Sequence, residues 1–445
     1  MEKLKKEKIL IFFSRAFIFF LFLIIIFSRS LLGVYLYGFR VGELMVGFSL
    51  LGTLVALSLY RNKIKYFYGK HFYISHILLV ATFLITVLLS NASLLDTYLY
   101  RASSYIWAIF YLYFGLLIFN YFKINEKISI FLNWILIVIY FLQANYFVKL
   151  AEINGMWKDG NIDLLDISDP LLRFFTKYSD KFEPYKGTDI LLFFALILFI
   201  NNRYAIKSKL RFYFFLLASS AYLPLFLVRS RAATFCAIIF IIYELYLLRD
   251  NLKKIVKRDV GVFLLTLLLF VLSSYNMIGY QATDSSEIFQ RLIQEKTPEL
   301  SGKFLEFSGG RIYSADGNLN WRLAIWQDVI FDLNNKGKLL TGYGYSEIIP
   351  AMESSGRQGR DGLNQNVHNF VVNILARGGI IHLVLFIYMF LNLFKLSRNN
   401  FGEMKITMLL IPLLTASLFD ASMENVHFPL FLYIFISNIV IEKID

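Results

Sequence analysis

The chain alternates between long apolar runs and short polar segments. The runs have roughly 15 to 28 residues, and about 20 residues of helix are needed to cross about 30 Å of hydrocarbon. This pattern predicts an all-α polytopic membrane protein with about twelve transmembrane helices, near residues 9–27, 40–60, 74–91, 103–120, 127–149, 188–202, 210–228, 231–248, 259–278, 367–394, 406–420 and 425–441.

Two of the polar segments are much longer than the others. They comprise residues 150–187 and 279–366, and long loops in compact proteins are usually functional or disordered. We therefore divide the chain into spans one to nine (1–278), a large loop (279–366) and spans ten to twelve (367–445).

Each long loop carries a pattern that predicts helix. In the larger loop, the apolar spacing within Leu319–Leu333 predicts a short amphipathic helix on the membrane surface. A scaffold helix with no part in chemistry is the alternative. The shorter loop contains several spaced aspartates, which fit either a helical lid or a solvated face.

The distribution of charge predicts the orientation of the spans. The net charge is +13, and the short segments on the side of the N-terminus hold 23 Lys and Arg against seven Asp and Glu. The two long loops on the other side hold 14 basic against 18 acidic residues. Positive charge gathers on the cytoplasmic side of membrane proteins. Both termini are therefore expected inside and the long loops outside, and the basic balance gives no reason to expect a nucleic-acid partner.

A polar stripe enters the membrane directly after the large loop. His368 begins the tenth predicted span, and Asn369, Asn373 and Arg377 follow at helical spacing. Lipid does not tolerate such a stripe, so it must face the helix bundle or a water-filled cavity. Hydrogen bonding between helices is the alternative to a functional cavity.

Two arginines lie where the topology does not favour them. Arg229 and Arg231 flank Ser230 at the outer junction of spans seven and eight. Guanidinium groups match phosphate in a bidentate manner, which makes anion binding one explanation. Snorkelling to lipid headgroups is the other. Arg322, on the predicted surface helix, is a candidate to join them.

Several common catalytic patterns are missing from the chain. There is no G-x-S-x-G elbow, Walker loop, H-E-x-x-H motif or Cys/His cluster, and the single cysteine, Cys236, lies in an apolar run. We therefore expect no metal, no nucleotide and no other cofactor. A D-x-D pair is also absent, so any sugar donor is not expected to be a nucleotide sugar.

Three short motifs resemble those of the O-antigen ligase and polymerase family, membrane glycosyltransferases of the GT-C type. His368-Asn369, nine residues and then Gly379 resembles the family's H-N-x9-G signature. Arg322 and Trp326, followed by Gly342-Tyr343-Gly344, resemble its R-x3-W helix and G-x-G turn. Ser230-Arg231-Ala232 resembles its S-R-A segment.

The resemblance implies glycosyl transfer on the periplasmic face of a bacterial inner membrane. The donor would be an oligosaccharide on undecaprenyl diphosphate, held in a membrane-lipid environment. Arg231 and Arg322 would bind the diphosphate with Arg229 as a helper, and His368 would be the general base. Tyr343, Tyr345 and Trp326 are candidates for stacking on sugars, with scaffold packing as the alternative.

The acceptor decides between two activities. The two outside loops resemble the polymerase arrangement, in which the acceptor is another lipid-linked repeat and a chain-length regulator is a possible partner. Arg291, ten residues and then Gly302 is similar to a polymerase loop pattern, although one such match is expected by chance. A ligase that uses the lipid A–core is the alternative. The unequal loops argue against a flippase, and a structural envelope subunit is a further class.

Overall fold

The fold is known from a computed structural model that describes residues 2–90, 92–94, 96–122, 125–138, 153, 156, 160–179, 187–203, 208–256, 260–278, 305–354, 357, 365–401, 405–420 and 422–441. Helices dominate this part of the chain, as the apolar runs predicted. Their bounds are α1 Glu2–Leu32, α2 Val41–Leu89, α3 Thr97–Ala102, α4 Ser104–Trp107, α5 Phe110–Tyr121, α6 126–138, α7 Pro170–Tyr178, α8 Gly187–Arg203, α9 Ser208–Arg229, α10 Arg231–Val256, α11 Val260–Ile278, α12 Gly317–Asn335, α13 Phe370–Phe401, α14 Lys405–Ser417 and α15 His427–Ile441.

Two β-hairpins interrupt the all-helical pattern that the sequence predicted. One pairs β1 (Tyr35–Leu36) with β2 (Phe39–Arg40), and the other pairs β3 (Leu305–Ser308) with β4 (Arg311–Ser314). In the second hairpin the two turn residues are glycines with positive φ, the backbone that tight hairpin turns require. A run of only four residues per strand is too short for its pattern to stand out in the sequence.

Six helical segments within the described residues are long and apolar enough to cross a membrane. They are Glu7–Phe27, Val41–Leu59, Tyr68–Leu89, Ser104–Tyr121, Arg231–Arg249 and Phe370–Lys395. Four shorter apolar helices coincide with other predicted spans: Gly187–Asn201, Leu210–Leu223, Val260–Leu272 and His427–Asn438. The membrane class follows from these segments, whereas the number twelve stays a prediction.

Helix α2 differs from the sequence prediction in one respect. Residues 61–73 were expected to be a polar connection between two spans, but they are helical and join both spans in one 49-residue element. Gly69, with φ +78°, interrupts it. Lysines and arginines are good helix formers, so a basic segment need not end a helix.

The described part of the large loop has a small apolar core of its own. Ile325, Val329 and Leu333 recur every four residues along α12 and are fully buried. They pack with Val367, just before α13, and with other apolar residues from the loop and the start of α13: Ile349, Met352, Val372 and Ala376. The amphipathic helix predicted at Leu319–Leu333 is therefore present, and its apolar face lies against protein.

The shorter loop is also partly helical. Asp169 caps α7 by accepting hydrogen bonds from the amides of Leu171 and Leu172. At the other end of α7, the Ser179 hydroxyl donates to the Ser30 carbonyl at 2.7 Å, near the end of α1. These contacts attach α7 to the same end of the bundle at which α1 ends.

Candidate active site

Asp316 joins the S-R-A segment to the large loop. Its carboxylate accepts a hydrogen bond from the Leu319 amide and so caps the N-terminus of α12. The same carboxylate accepts a hydrogen bond from the guanidinium of Arg231, the first residue of α10. The Arg231 side chain is 87% exposed. Two segments more than 80 residues apart in sequence thus meet through one carboxylate.

Arg322 lies further along α12, between two carboxylates. Its guanidinium donates to the carbonyl of Phe419, in the segment that follows α14. Burial lowers the pKa of Arg322, and the negative charges of Asp420 and Asp316 act against that shift. Arginine keeps its proton over the whole accessible pH range, so this side chain is a partly buried cation that the charges of two neighbouring acids stabilise.

Asp420 lies near Arg322 in the candidate site, and the sequence analysis did not identify it. It follows a predicted span and belongs to none of the three motifs. One of its oxygens accepts a hydrogen bond from the Thr188 hydroxyl at 3.0 Å. Only the approach of α8, α12 and the segment after α14 brings Thr188, Arg322 and Asp420 together.

His368 sits in a turn that α12 holds from one side. The Trp326 ring nitrogen donates to the Val367 carbonyl at 2.7 Å, and the Trp321 ring lies 5.1 Å from the His368 ring, centre to centre. His368 itself has φ +55°, a left-handed conformation that histidine adopts more readily than most side chains. The R-x3-W motif therefore contacts the His368 turn through its tryptophan.

Asn369 converts that turn into a helix start. Its side-chain oxygen accepts hydrogen bonds from the amides of Val371 and Val372, at 2.9 and 3.1 Å. Two amides at the N-terminus of α13 are satisfied in this way. Asn373 lies buried one turn further along α13. The geometry thus gives Asn369 a capping role next to His368.

The G-x-G turn packs against α13 at Gly379, the glycine of the H-N-x9-G motif. Helix α13 is kinked at Gly379, which has φ +68° and ψ −168°. The turn at residues 339–344 enters this kink. The Tyr343 and Gly344 amides donate to the carbonyls of Ala376 and Arg377 at 2.7 and 3.0 Å, and the Ile380 amide donates to the Leu339 carbonyl at 3.0 Å. The turn thus satisfies backbone groups that the kink releases.

Arg377 supports this turn. Its guanidinium donates to the carbonyls of Gly344 and Glu347 and to the Tyr98 hydroxyl, the last at 2.6 Å, and it is 2% exposed. Of the two interpretations of the polar stripe, these contacts favour hydrogen bonding between segments for Arg377. Both terminal nitrogens of this buried guanidinium are bonded to protein, whereas its Nε has no hydrogen-bond partner.

The two tyrosines of the turn also bond to protein. The Tyr343 hydroxyl donates to Asp332 at 2.5 Å. The buried Tyr345 hydroxyl lies 2.7 Å from Nδ1 of His382 and 2.8 Å from the Tyr105 hydroxyl. Both tyrosines were candidates for sugar stacking, and these contacts support the scaffold alternative.

The structure thus gathers some of the predicted site residues and separates others. Arg231, Arg322, Trp326 and His368 are connected through Asp316 and α12. Arg377, Tyr343 and Tyr345 bind around the 339–344 turn instead. The side chain of Arg229 lies outside the described part of the chain.

Comparison with known families agrees with the three motifs. Residues 190–387 match a family model described as O-antigen ligase. The matched segment is less than half of the 445-residue chain and includes Arg231, Arg322 and His368. No curated protein matches the chain. The match supports the resemblance to the O-antigen ligase and polymerase family, and it covers the S-R-A segment and the part of α13 up to residue 387, which includes the kink at Gly379.

Proposed function

We propose that this protein is a membrane glycosyltransferase that transfers an oligosaccharide from a lipid diphosphate on the outer face of a bacterial inner membrane. The observation that carries the proposal is the connection of Arg231, Arg322 and the His368 turn through Asp316 and α12. Two cations and a general-base candidate from three distant segments thereby share one end of the bundle. The positive-inside pattern supports an outward direction for that end.

The proposed reaction needs two kinds of group. The acceptor hydroxyl attacks the anomeric carbon, and the bond from that carbon to the diphosphate oxygen breaks. His368 takes the hydroxyl proton, a role that typically contributes about 10²–10⁴ in rate. The leaving diphosphate keeps the electron pair, and Arg322 and Arg231 stabilise its charge. One such stabilising group contributes on the order of 10²–10³.

The two arginines differ in a way that suits them to different tasks. Arg231 is largely exposed, so a diphosphate arriving along the membrane surface reaches it first. Arg322 is partly buried, where charge interactions are stronger because less water screens them. A diphosphate would share these cations with Asp316 and Asp420. Arg229, two residues before Arg231, is the proposed helper.

We favour polymerisation of lipid-linked repeats over ligation to the lipid A–core. Two sizeable outer loops support the polymerase, while the description of the matched family as O-antigen ligase favours the second candidate. Deletion of the gene separates them on a gel of surface glycans. Loss of a polymerase leaves cores capped with a single repeat, and loss of a ligase leaves bare cores.

Two substitutions test the proposed chemistry. Arg322→Ala and His368→Ala should each abolish long glycan chains while protein abundance in the membrane stays near normal. Arg101→Ala, at an exposed arginine paired with Glu43, and His71→Ala, at an exposed histidine, serve as matched controls and should leave the ladder intact. Normal ladders for both Arg322→Ala and His368→Ala would refute the proposal.

A further inference from the structure

A buried ionic cluster lies at the same end of the bundle as the candidate site. Asp189, in the first turn of α8, accepts a hydrogen bond from Nε of Arg29 of α1 at 2.9 Å, and Nη2 of Arg29 forms an ion pair with the same oxygen at 2.8 Å. Its other oxygen lies 3.1 Å from Nδ1 of His427, the first residue of α15. Arg29 is 6% exposed, Asp189 0% and His427 1%. Buried charges remain in place only when they are paired, so this cluster ties α8 to two other helices.

The residues just before Asp189 point to the site. A methyl group at Gly187 would lie 2.4 Å from Cβ of Ser230, so α8 begins in close contact with the residue that precedes Arg231. Thr188 is 2% exposed, and its hydroxyl donates to an oxygen of Asp420 at 3.0 Å. Three consecutive residues therefore contact the S-R-A segment, Asp420 and the ionic cluster.

Asp420 lies next in sequence to Phe419, whose carbonyl Arg322 contacts. The Asp420 carboxylate acts electrostatically on the Arg322 guanidinium, which also donates to the carbonyl of the adjacent Phe419. A carboxylate that is free to rotate can turn away from its cation, whereas one held by a hydroxyl keeps its oxygens in place. The ionic cluster in turn holds the helix turn that carries Thr188.

We propose that Thr188 is a positioning residue of the active site, acting through Asp420 on the guanidinium of Arg322. The inference rests on the proposed function, in which Arg322 binds the donor diphosphate. The hydrogen bond between Thr188 of α8 and Asp420, after α14, would then support the position of Arg322 on α12. None of the three sequence motifs includes Thr188.

Thr188→Val tests the role because valine keeps the shape and removes the hydroxyl. The assay uses purified protein and the lipid-linked repeat extracted from a strain that lacks the gene. Loss of a hydrogen bond to a charged group typically changes an equilibrium by about tenfold or more. We expect the KM for the lipid-linked repeat to rise about tenfold, and Thr188→Ser to restore most of the activity. Thr53→Val removes another buried interhelical hydroxyl contact, to the Phe110 carbonyl at 3.1 Å, and should leave KM unchanged.

The KM separates positioning from a general structural defect. A variant that only folds poorly lowers the amount of active enzyme, and hence the apparent kcat, at an unchanged KM; that result would overturn the inference. In an Asp420→Asn background the charge that Thr188 orients is gone, so Thr188→Val should add less than twofold. An unchanged tenfold effect in this background would also overturn the inference.

The same assay, run on the wild-type protein and on Arg322→Ala, distinguishes three failures. If the wild-type protein transfers no glycan from the lipid-linked repeat, the proposed function is wrong and this inference fails with it. If Arg322→Ala retains full activity, the proposed role of Arg322 is wrong, and the inference fails for that reason. If Arg322→Ala is inactive and Thr188→Val keeps the wild-type KM, only the role of Thr188 is wrong.

Discussion

Replacement of Gly379 by alanine should destabilise the kinked helix that follows the candidate site. The backbone at Gly379 has φ +68° and ψ −168°, a region that is essentially restricted to glycine. A Cβ atom there would lie 2.1 Å from the Leu340 carbonyl oxygen and 2.5 Å from the Thr341 nitrogen. Both neighbours are backbone atoms, so relief of the clash requires the 339–344 turn to move.

The size of the effect follows from two contributions. A side chain in this backbone region costs about 1–3 kcal/mol. Movement of the turn breaks hydrogen bonds such as those from the Tyr343 amide to Ala376 and from the Ile380 amide to Leu339, each worth about 1 kcal/mol. The expected loss is about 3–5 kcal/mol, a large part of the roughly 5–15 kcal/mol typical of whole proteins.

Thermal unfolding in detergent and membrane abundance measure this loss. Gly261→Ala is the matched control, because Gly261 lies in α11 with no atom within 4 Å of an added Cβ. Alanine favours helix over glycine, so the control should unfold at the same or a higher temperature. If Gly379→Ala unfolds at the wild-type temperature and reaches wild-type abundance, the turn and the kink can accommodate a Cβ atom and the reasoning is refuted.

Two other predictions concern the contacts of α12. Trp326→Phe keeps the apolar ring but removes the N–H that holds the Val367 carbonyl at 2.7 Å, so we expect shorter glycan ladders at near-normal protein abundance as the His368 turn loosens; an unchanged ladder would show that this hydrogen bond does not position the turn. Asp316→Asn keeps an N-cap acceptor and loses the negative charge that pairs with the exposed Arg231 and acts on Arg322, so stability should change by about 1 kcal/mol or less. Asp316→Ala also removes the cap and should lower stability by about 1 kcal/mol more in thermal unfolding, and equal melting temperatures for the two variants would contradict the capping role.

Much of this architecture could be predicted from local pattern. The apolar runs identify the membrane class because the thickness of hydrocarbon sets the length of a helix that crosses it. The apolar spacing of α12 predicted an amphipathic helix because residues four apart, such as Ile325, Val329 and Leu333, lie on one helical face. Arg231, Arg322 and His368 could be singled out because each stands in a short motif at an expected position.

The partners of each side chain could not be predicted in this way. Arg377 belongs to the polar stripe after His368 and Tyr345 comes directly after the G-x-G turn, yet their polar atoms bond to Tyr98, to backbone carbonyls and to His382. Spacing along one helix reports which face a residue shares. It does not indicate which side chains or backbone groups of the neighbouring segment will contact that face.

The contacts of Gly187, Thr188 and Asp189 separate what the sequence determines from what only the tertiary structure determines. The sequence by itself determined that a helix begins near this point, because an apolar run follows it. Only the tertiary structure decided that these three residues meet Ser230, Asp420 and the pair Arg29 and His427. Hydrophobic burial follows from the apolar pattern of a single segment, so the sequence of that segment predicts it. A hydrogen bond between helices depends on two segments that are far apart in the sequence.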